Sequence, residues 1–156
     1  MTRLTAALLA AALLAGCGEK PAPRAVPDPM PAYRSVVGNY VLPVPGRPGT
    51  FEVIFYAGSR AEHFHCSAGS YATNALGLLP NRRVYLVAPL GPSVTRPGRR
   101  AITFTVLPDE ALRAAGEALP DDLALAMTRP GDSFLAGAGT ALCGTIEPFF
   151  WDPPHG

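Results

Sequence analysis

Ala101-Ile102-Thr103-Phe104-Thr105-Val106 alternates without a fault. Ile102, Phe104 and Val106 point one way and Thr103 and Thr105 the other, the period-two pattern of a strand with one buried face. Two residues later Pro108-Asp109-Glu110 opens a helix. Proline is tolerated in a first turn, and acids suit the positive end of the helix dipole. Ala111, Leu112, Ala115, Ala118 and Leu119 share one side of this helix, and Pro120 stops it. Gly116 weakens it by about 1 kcal/mol relative to alanine. A clear strand followed at once by a helix points to a mixed architecture.

The pattern extends outward in both directions. Phe51 to Tyr56 alternates, with Phe51, Val53 and Phe55 opposite Glu52, Ile54 and Tyr56. Val36 to Leu42 and Val84 to Ala88 read as further strands, and Pro89 to Gly98, with three prolines, as a loop. Ser67 to Leu79 reads as a helix capped by Ser67 or Ser70. Its apolar stripe is Ala68, Tyr71, Ala72, Ala75, Leu76 and Leu79. Leu123 to Met127 fits a strand or a helical turn equally well. Pro130-Gly131-Asp132 is a turn, and Ala141 to Glu147 a last strand. The expected class is α+β, a small antiparallel or mixed sheet with two short helices. A β-sandwich is the alternative should the helices fail.

The 156 residues fit one domain. Eighteen prolines and sixteen glycines exclude a helical bundle or coiled coil. A net charge of +1 excludes a basic nucleic-acid-binding domain and a highly charged disordered chain.

Met1-Thr2-Arg3 is a short positive leader, and Leu4 to Ala15 an apolar run broken only by Thr5. This is the pattern of a secretory signal peptide, too short for a bilayer span of about 20 residues. Leu14-Ala15-Gly16-Cys17 closes it and resembles in full the lipobox of bacterial lipoprotein precursors. The resemblance implies a diacylglycerol thioether on Cys17, cleavage before it and an acylated new amine. Gly18, rather than Asp, follows the cysteine and tilts the expected destination to the outer membrane. Residues 18–31 hold five prolines and almost no apolar bulk. They read as an extended spacer of up to roughly 40 Å that lifts a domain off a membrane surface. The expected division is a signal peptide over 1–16, a lipidated cysteine and tether over 17–32, and one globular domain over 33–156.

Cys66 and Cys143 are the remaining cysteines. In an exported chain they are expected to close a disulfide. Without a Cys-x-x-Cys motif, a thioredoxin-like site is not supported. His63-Phe64-His65-Cys66 invites a metal reading: if extended, His63 and His65 share a face about 7 Å apart. Two imidazoles and a thiolate suit copper or zinc. A disulfide at Cys66 removes the thiolate, so the expectation is a loop and helix entry with no metal.

Between Glu62 and Asp109 there is no acid, while Arg82, Arg83, Arg96, Arg99 and Arg100 fall in that stretch. Arg82, Arg83, Arg99 and Arg100 form a candidate surface for an anion or partner, because guanidinium forks suit phosphates and carboxylates. The competing reading pairs them with the acids of Asp109 to Asp122. Phe149, Phe150 and Trp151 either dock the tail into the core or offer a partner surface. There is no Gly-x-Ser-x-Gly elbow, no recognisable carboxylate pair and no Gly-rich phosphate loop, so no catalytic residue and no cofactor are expected.

The body of the chain resembles small envelope lipoproteins of Gram-negative bacteria. The expected function is a non-enzymatic interaction or structural module facing the periplasm, held to the membrane by acylated Cys17. Its expected partners are an envelope protein or an anionic lipid or glycan, not nucleic acid. A ligand- or metal-binding lipoprotein, or a small envelope hydrolase, is the alternative.

Overall fold

The computed structural model describes residues 32–117 and 128–146. They form an α+β fold: one antiparallel sheet of six strands with helices against it. The strands are β1 (Tyr33–Arg34), β2 (Tyr40–Pro43), β3 (Thr50–Ile54), β4 (Arg83–Pro92), β5 (Arg100–Thr105) and β6 (Ser133–Leu135). Their spatial order is β1-β2-β3-β5-β4-β6. The helices are α1 (Ala61–Ser70), α2 (Glu110–Glu117) and α3 (Ala136–Leu142). The second layer of the core is helical, so the β-sandwich alternative falls away.

Alternation selects the core. Phe51 and Val53 of β3 face Phe104 and Ile102 of β5 across the central pairing. With Val41, Val84 and Leu86 they make one apolar face. Against it pack Phe64, Ala68, Tyr71 and Ala72 from the α1 segment and Ala136 from α3. Phe51 lies 4.7 Å from Tyr71 and 5.9 Å from Phe104, ring centre to ring centre.

Four local expectations are corrected. First, α1 begins at Ala61, before Ser67, and no capping side chain of Ser67 or Ser70 marks its start. Both serines are buried, and the Ser67 hydroxyl donates to Ser35 Oγ at 2.8 Å. The helix widens into a π-helical turn over Tyr71–Ala75 and ends at Gly77, whose φ of +66° suits glycine. That turn rotates Ala75 out of the expected stripe into solvent, and Leu79, beyond the helix end, is exposed as well. Second, β4 runs past Ala88 to Pro92. Of its two register shifts, one falls at Val87 and the other spans Pro89, which cannot donate to a regular ladder. Third, the segment expected as a strand from Ala141 begins inside α3. Its backbone is held by packing on α1 and by the Cys66–Cys143 disulfide, whose Cα atoms are 4.9 Å apart. Fourth, α2 forms where expected, with Asp109 Oδ1 accepting from the Leu112 N–H at 2.8 Å, but none of its residues is buried. Leu123 to Met127 and the end of the α2 stretch from Ala118 lie outside the described residues.

α1 and α3 meet backbone to backbone through Gly69 and Gly139. A Cβ on Gly69 would stand 2.6 Å from the Thr140 nitrogen and 2.7 Å from the Ala136 carbonyl oxygen. These are main-chain atoms that no rotamer change can move. Gly69→Ala is therefore expected to pry the helices apart and cost about 3 kcal/mol, the upper part of the overpacking range. Gly77→Ala, with nothing within 4 Å but a positive φ, is expected to cost less, about 1 kcal/mol. Urea midpoints of the two variants check the ranking.

Candidate functional site

The outer face of the sheet, opposite the helices, is organised by one carboxylate. Alternation along β3 turns Glu52 and Ile54 away from the helices, and both are buried all the same. The turn joining β4 to β5 folds back over Glu52, which is only 1% exposed. Glu52 Oε2 accepts from the Ser93 hydroxyl at 2.6 Å, the Thr95 hydroxyl at 2.6 Å and the Thr95 N–H at 3.0 Å. Oε1 accepts from the Val94 N–H at 3.0 Å. Burial by itself raises the carboxyl pKa. The two hydroxyls and two N–H groups together outweigh that and hold it below the ordinary value, so the group is a carboxylate at neutral pH.

The turn clamped in this way carries Arg96 and Arg99. Arg34 stands opposite Tyr40 in the β1–β2 register. Arg34 and Arg96 both lie over the Tyr40 ring, at 5.7 and 5.3 Å from its centre. Arg99 lies 4.9 Å over Tyr56, and Arg100 5.8 Å over Phe55. The Tyr40 and Tyr56 rings are 6.2 Å apart, which joins the Arg34, Arg96 and Arg99 stacks into one surface, whereas Phe55 turns to the helix side, stacks on Phe64 and leaves Arg100 at the edge of that surface. The ion pairs among the described residues are Arg60–Glu62 and Arg129–Asp132. The four arginines are thus held by rings rather than by acids. Stacking orients a guanidinium at roughly 0.5–1 kcal/mol per contact without using its edge N–H donors, although Arg99 Nη2 donates to the Phe55 carbonyl oxygen at 3.4 Å. A shallow depression of about 270 Å³ between Phe55, Arg99 and Arg100 opens at the edge of this surface.

The four-arginine surface expected from sequence is divided by the fold. Arg99 belongs to the cluster just described, with Arg100 at its edge over Phe55. Arg82 and Arg83 sit at the far end of β4, beside Leu135, where Arg83 Nη1 donates to Ser133 Oγ at 3.0 Å. A ten-residue strand separates the two ends, roughly 25–30 Å. The competing partners are displaced from Arg99 and Arg100, because Asp109 and Glu110 follow the Thr105 end of β5, the end at which β4 begins with Arg83; the ion pairs among the described residues include neither Arg82 nor Arg83. Asp121 and Asp122 lie outside the described residues. Sequence reasoning missed Arg34, Tyr40 and Tyr56 as members of the surface. The signal available was parity: Tyr56 shares its strand face with Glu52, not with Phe51.

His63 and His65 do not form the pair that an extended chain would make. Both lie in α1, where a two-residue step turns about 200°. His63 Nδ1 accepts from the Arg60 N–H at 3.3 Å. His65 is buried, 2.8 Å from the Ala61 carbonyl oxygen through Nδ1 and 4.6 Å from the Phe134 ring. Burial pushes its pKa down and outweighs the Ala61 hydrogen bond and the Glu62 charge, so the ring is neutral at pH 7. Among the described residues, no group of three His, Cys, Asp or Glu side chains is placed to hold a metal ion. Phe149, Phe150 and Trp151 lie outside the described residues. Among the described residues, no helix is long and apolar enough to cross a membrane.

No protein-family model, no curated protein and no solved structure matches the chain.

Proposed function

We propose that the chain is an envelope lipoprotein anchored through acylated Cys17, whose folded domain is a non-enzymatic interaction module facing the periplasm. The observation that carries this reading is the use of its cysteines. The two in the folded domain, Cys66 and Cys143, are joined to each other. The third, Cys17, ends the lipobox. A disulfide suits an oxidising compartment, and the lipobox supplies both the route there and the anchor. Two or three acyl chains make such an anchor effectively permanent, where one holds only marginally at about 0.8 kcal/mol per buried CH₂. The outer membrane is the proposed site because Gly18, not Asp, follows the cysteine. An arginine–tyrosine surface with open, shallow relief supports binding of a broad partner over enclosure of a small molecule.

The test is Cys17→Ser in the full precursor. The wild-type chain is expected to incorporate labelled fatty acid, lose residues 1–16 and partition into the detergent phase. The variant is expected to stay full-length, unlabelled and aqueous after release by osmotic shock or carbonate. Equal fatty-acid labelling of both chains, or none in the wild type, overturns the assignment.

A further inference from the structure

We infer that the surface formed by Arg34, Tyr40, Arg96, Tyr56 and Arg99 docks the domain onto the anionic phospholipid surface in which its own anchor is embedded. The inference rests on the lipoprotein reading and adds an orientation to it.

Three observations converge. The first is position. The tether ends at residue 32 and runs directly into β1, the strand that carries Arg34. Arg34 shares the Tyr40 ring with Arg96, so the covalent link to the membrane enters the domain at the edge of the basic surface. A domain hung from that point presents this face to the bilayer without having to turn over. The stiffness of a proline-rich spacer persists for only several residues, so 15 residues limit the stand-off without preventing contact.

The second is charge. Glu52 is the acid of β3 on this face, and the 93–96 turn covers it and satisfies it with four hydrogen bonds. Arg34, Arg96, Arg99 and Arg100 stack on rings instead of on carboxylates. The acids Asp109 and Glu110 lie beyond the opposite end of β5, the end at which β4 begins with Arg83. Arg34, Arg96 and Arg99 take no part in the ion pairs among the described residues, and an anionic surface attracts them.

The third is chemistry. Phosphodiester headgroups are bidentate acceptors for guanidinium edges, and tyrosine is at home at the headgroup level, with an apolar ring and a polar tip. The surface is broad, and the depression at its edge, about 270 Å³, is open. That relief fits a plane of headgroups better than a single small ligand.

The lipidated full chain reconstituted in vesicles tests this. Flotation with neutral phosphatidylcholine vesicles reads the anchor. Hydrogen exchange of the β1–β2 and 93–100 peptides, compared between neutral vesicles and vesicles doped with phosphatidylglycerol, reads docking. Slower exchange with phosphatidylglycerol, reversed by high salt, is the expected result. At about fivefold per arginine near an anionic surface, Arg96→Ser with Arg99→Ser is expected to lower the docked-to-free ratio about 25-fold. Arg83→Ser, at the far end of β4, is expected to leave it unchanged. The docking proposal is overturned by exchange that is the same in both vesicle types, or by equal loss in Arg83→Ser. Protection given equally by free inorganic phosphate, or only by added envelope protein, overturns it too. Failure to float on neutral vesicles counts against the anchor instead, while the phosphatidylglycerol comparison still decides the surface.

Discussion

A chain carrying Cys66→Ala and Cys143→Ser is expected to lose about 4 kcal/mol of stability, the loop entropy of a crosslink spanning 77 residues. For a domain of this size that corresponds to a fall in melting temperature of about 15 °C. The crosslink ties the middle of α1 to the residue after α3, and everything from β4 to β6 lies inside the loop it closes. Cys66 is fully buried, so alanine fits there, whereas the half-exposed Cys143 takes serine. Scanning calorimetry of the variant, and of the wild type with and without reductant, measures the effect. A drop of only a few degrees would mean that the Gly69–Gly139 crossing alone keeps α3 on α1 in both states, and the entropic account of this disulfide would be discarded.

Glu52→Ala is expected to cost about 3 kcal/mol or more. It strands the Ser93 and Thr95 hydroxyls and two N–H groups beneath the turn, at about 1–3 kcal/mol for each donor that water cannot reach. Glu52→Gln keeps an acceptor and is expected to cost less. The pH dependence separates this account from one of shape alone. The folded-state pKa lies below the ordinary 4.5, so the unfolded chain binds the proton more readily. The carboxylate's contribution is therefore complete above the unfolded value and drains away as pH falls through the folded one. Urea midpoints taken from pH 7 into the acid range below about 4.5 should fall for the wild type. They should fall less steeply for Glu52→Gln, which has no proton to take up there. Parallel slopes would remove Glu52 as the acid-sensitive group. Because the turn also carries Arg96, loss of the clamp should loosen the arginine–tyrosine surface along with the fold.

The strands were legible where apolar and polar residues alternate, although β3 and β5 are buried on both faces and Glu52, Ile54, Ala101 and Thr105 are covered as well. Ala101 to Val106 alternates because its partners, β3 and β4, enforce a pleat on it from both sides. The start of α1 was not legible, because a serine in sequence looks like a cap whether it ends in solvent or in the core. Ser67 serves Ser35, 32 residues away, and no local rule announces that. α3, which is Ala-Gly-Ala-Gly-Thr-Ala-Leu, has weak intrinsic helicity and exists because glycines let it lie against α1. The arginine surface was half legible. Arg99 and Arg100 stood out for want of nearby acids, but Arg34 and Tyr40 join Arg96 and Arg99 only because the β4–β5 turn folds back over β3 and carries Arg96 to the Tyr40 ring. Conversely, adjacency in sequence wrongly grouped Arg82 and Arg83 with them, since a hairpin sends the two ends of a long strand apart.

The clamp at Glu52 has a consequence for the order of folding. β2–β3 and β4–β5 are local hairpins, each joined by a short turn, and such units form within microseconds. The seam between them, β3 against β5, pairs Thr50 with Thr105 and must close over α1 and all of β4. Loop closure of that length is the slow kind of step. Yet the turn of the second hairpin is completed by a carboxylate that belongs to the first. Neither hairpin is finished alone, and the docking that joins them also completes the turn. The seam is thus where the two halves of the sheet gain their cooperativity, and it makes one folding unit of two pieces that the chain order keeps apart.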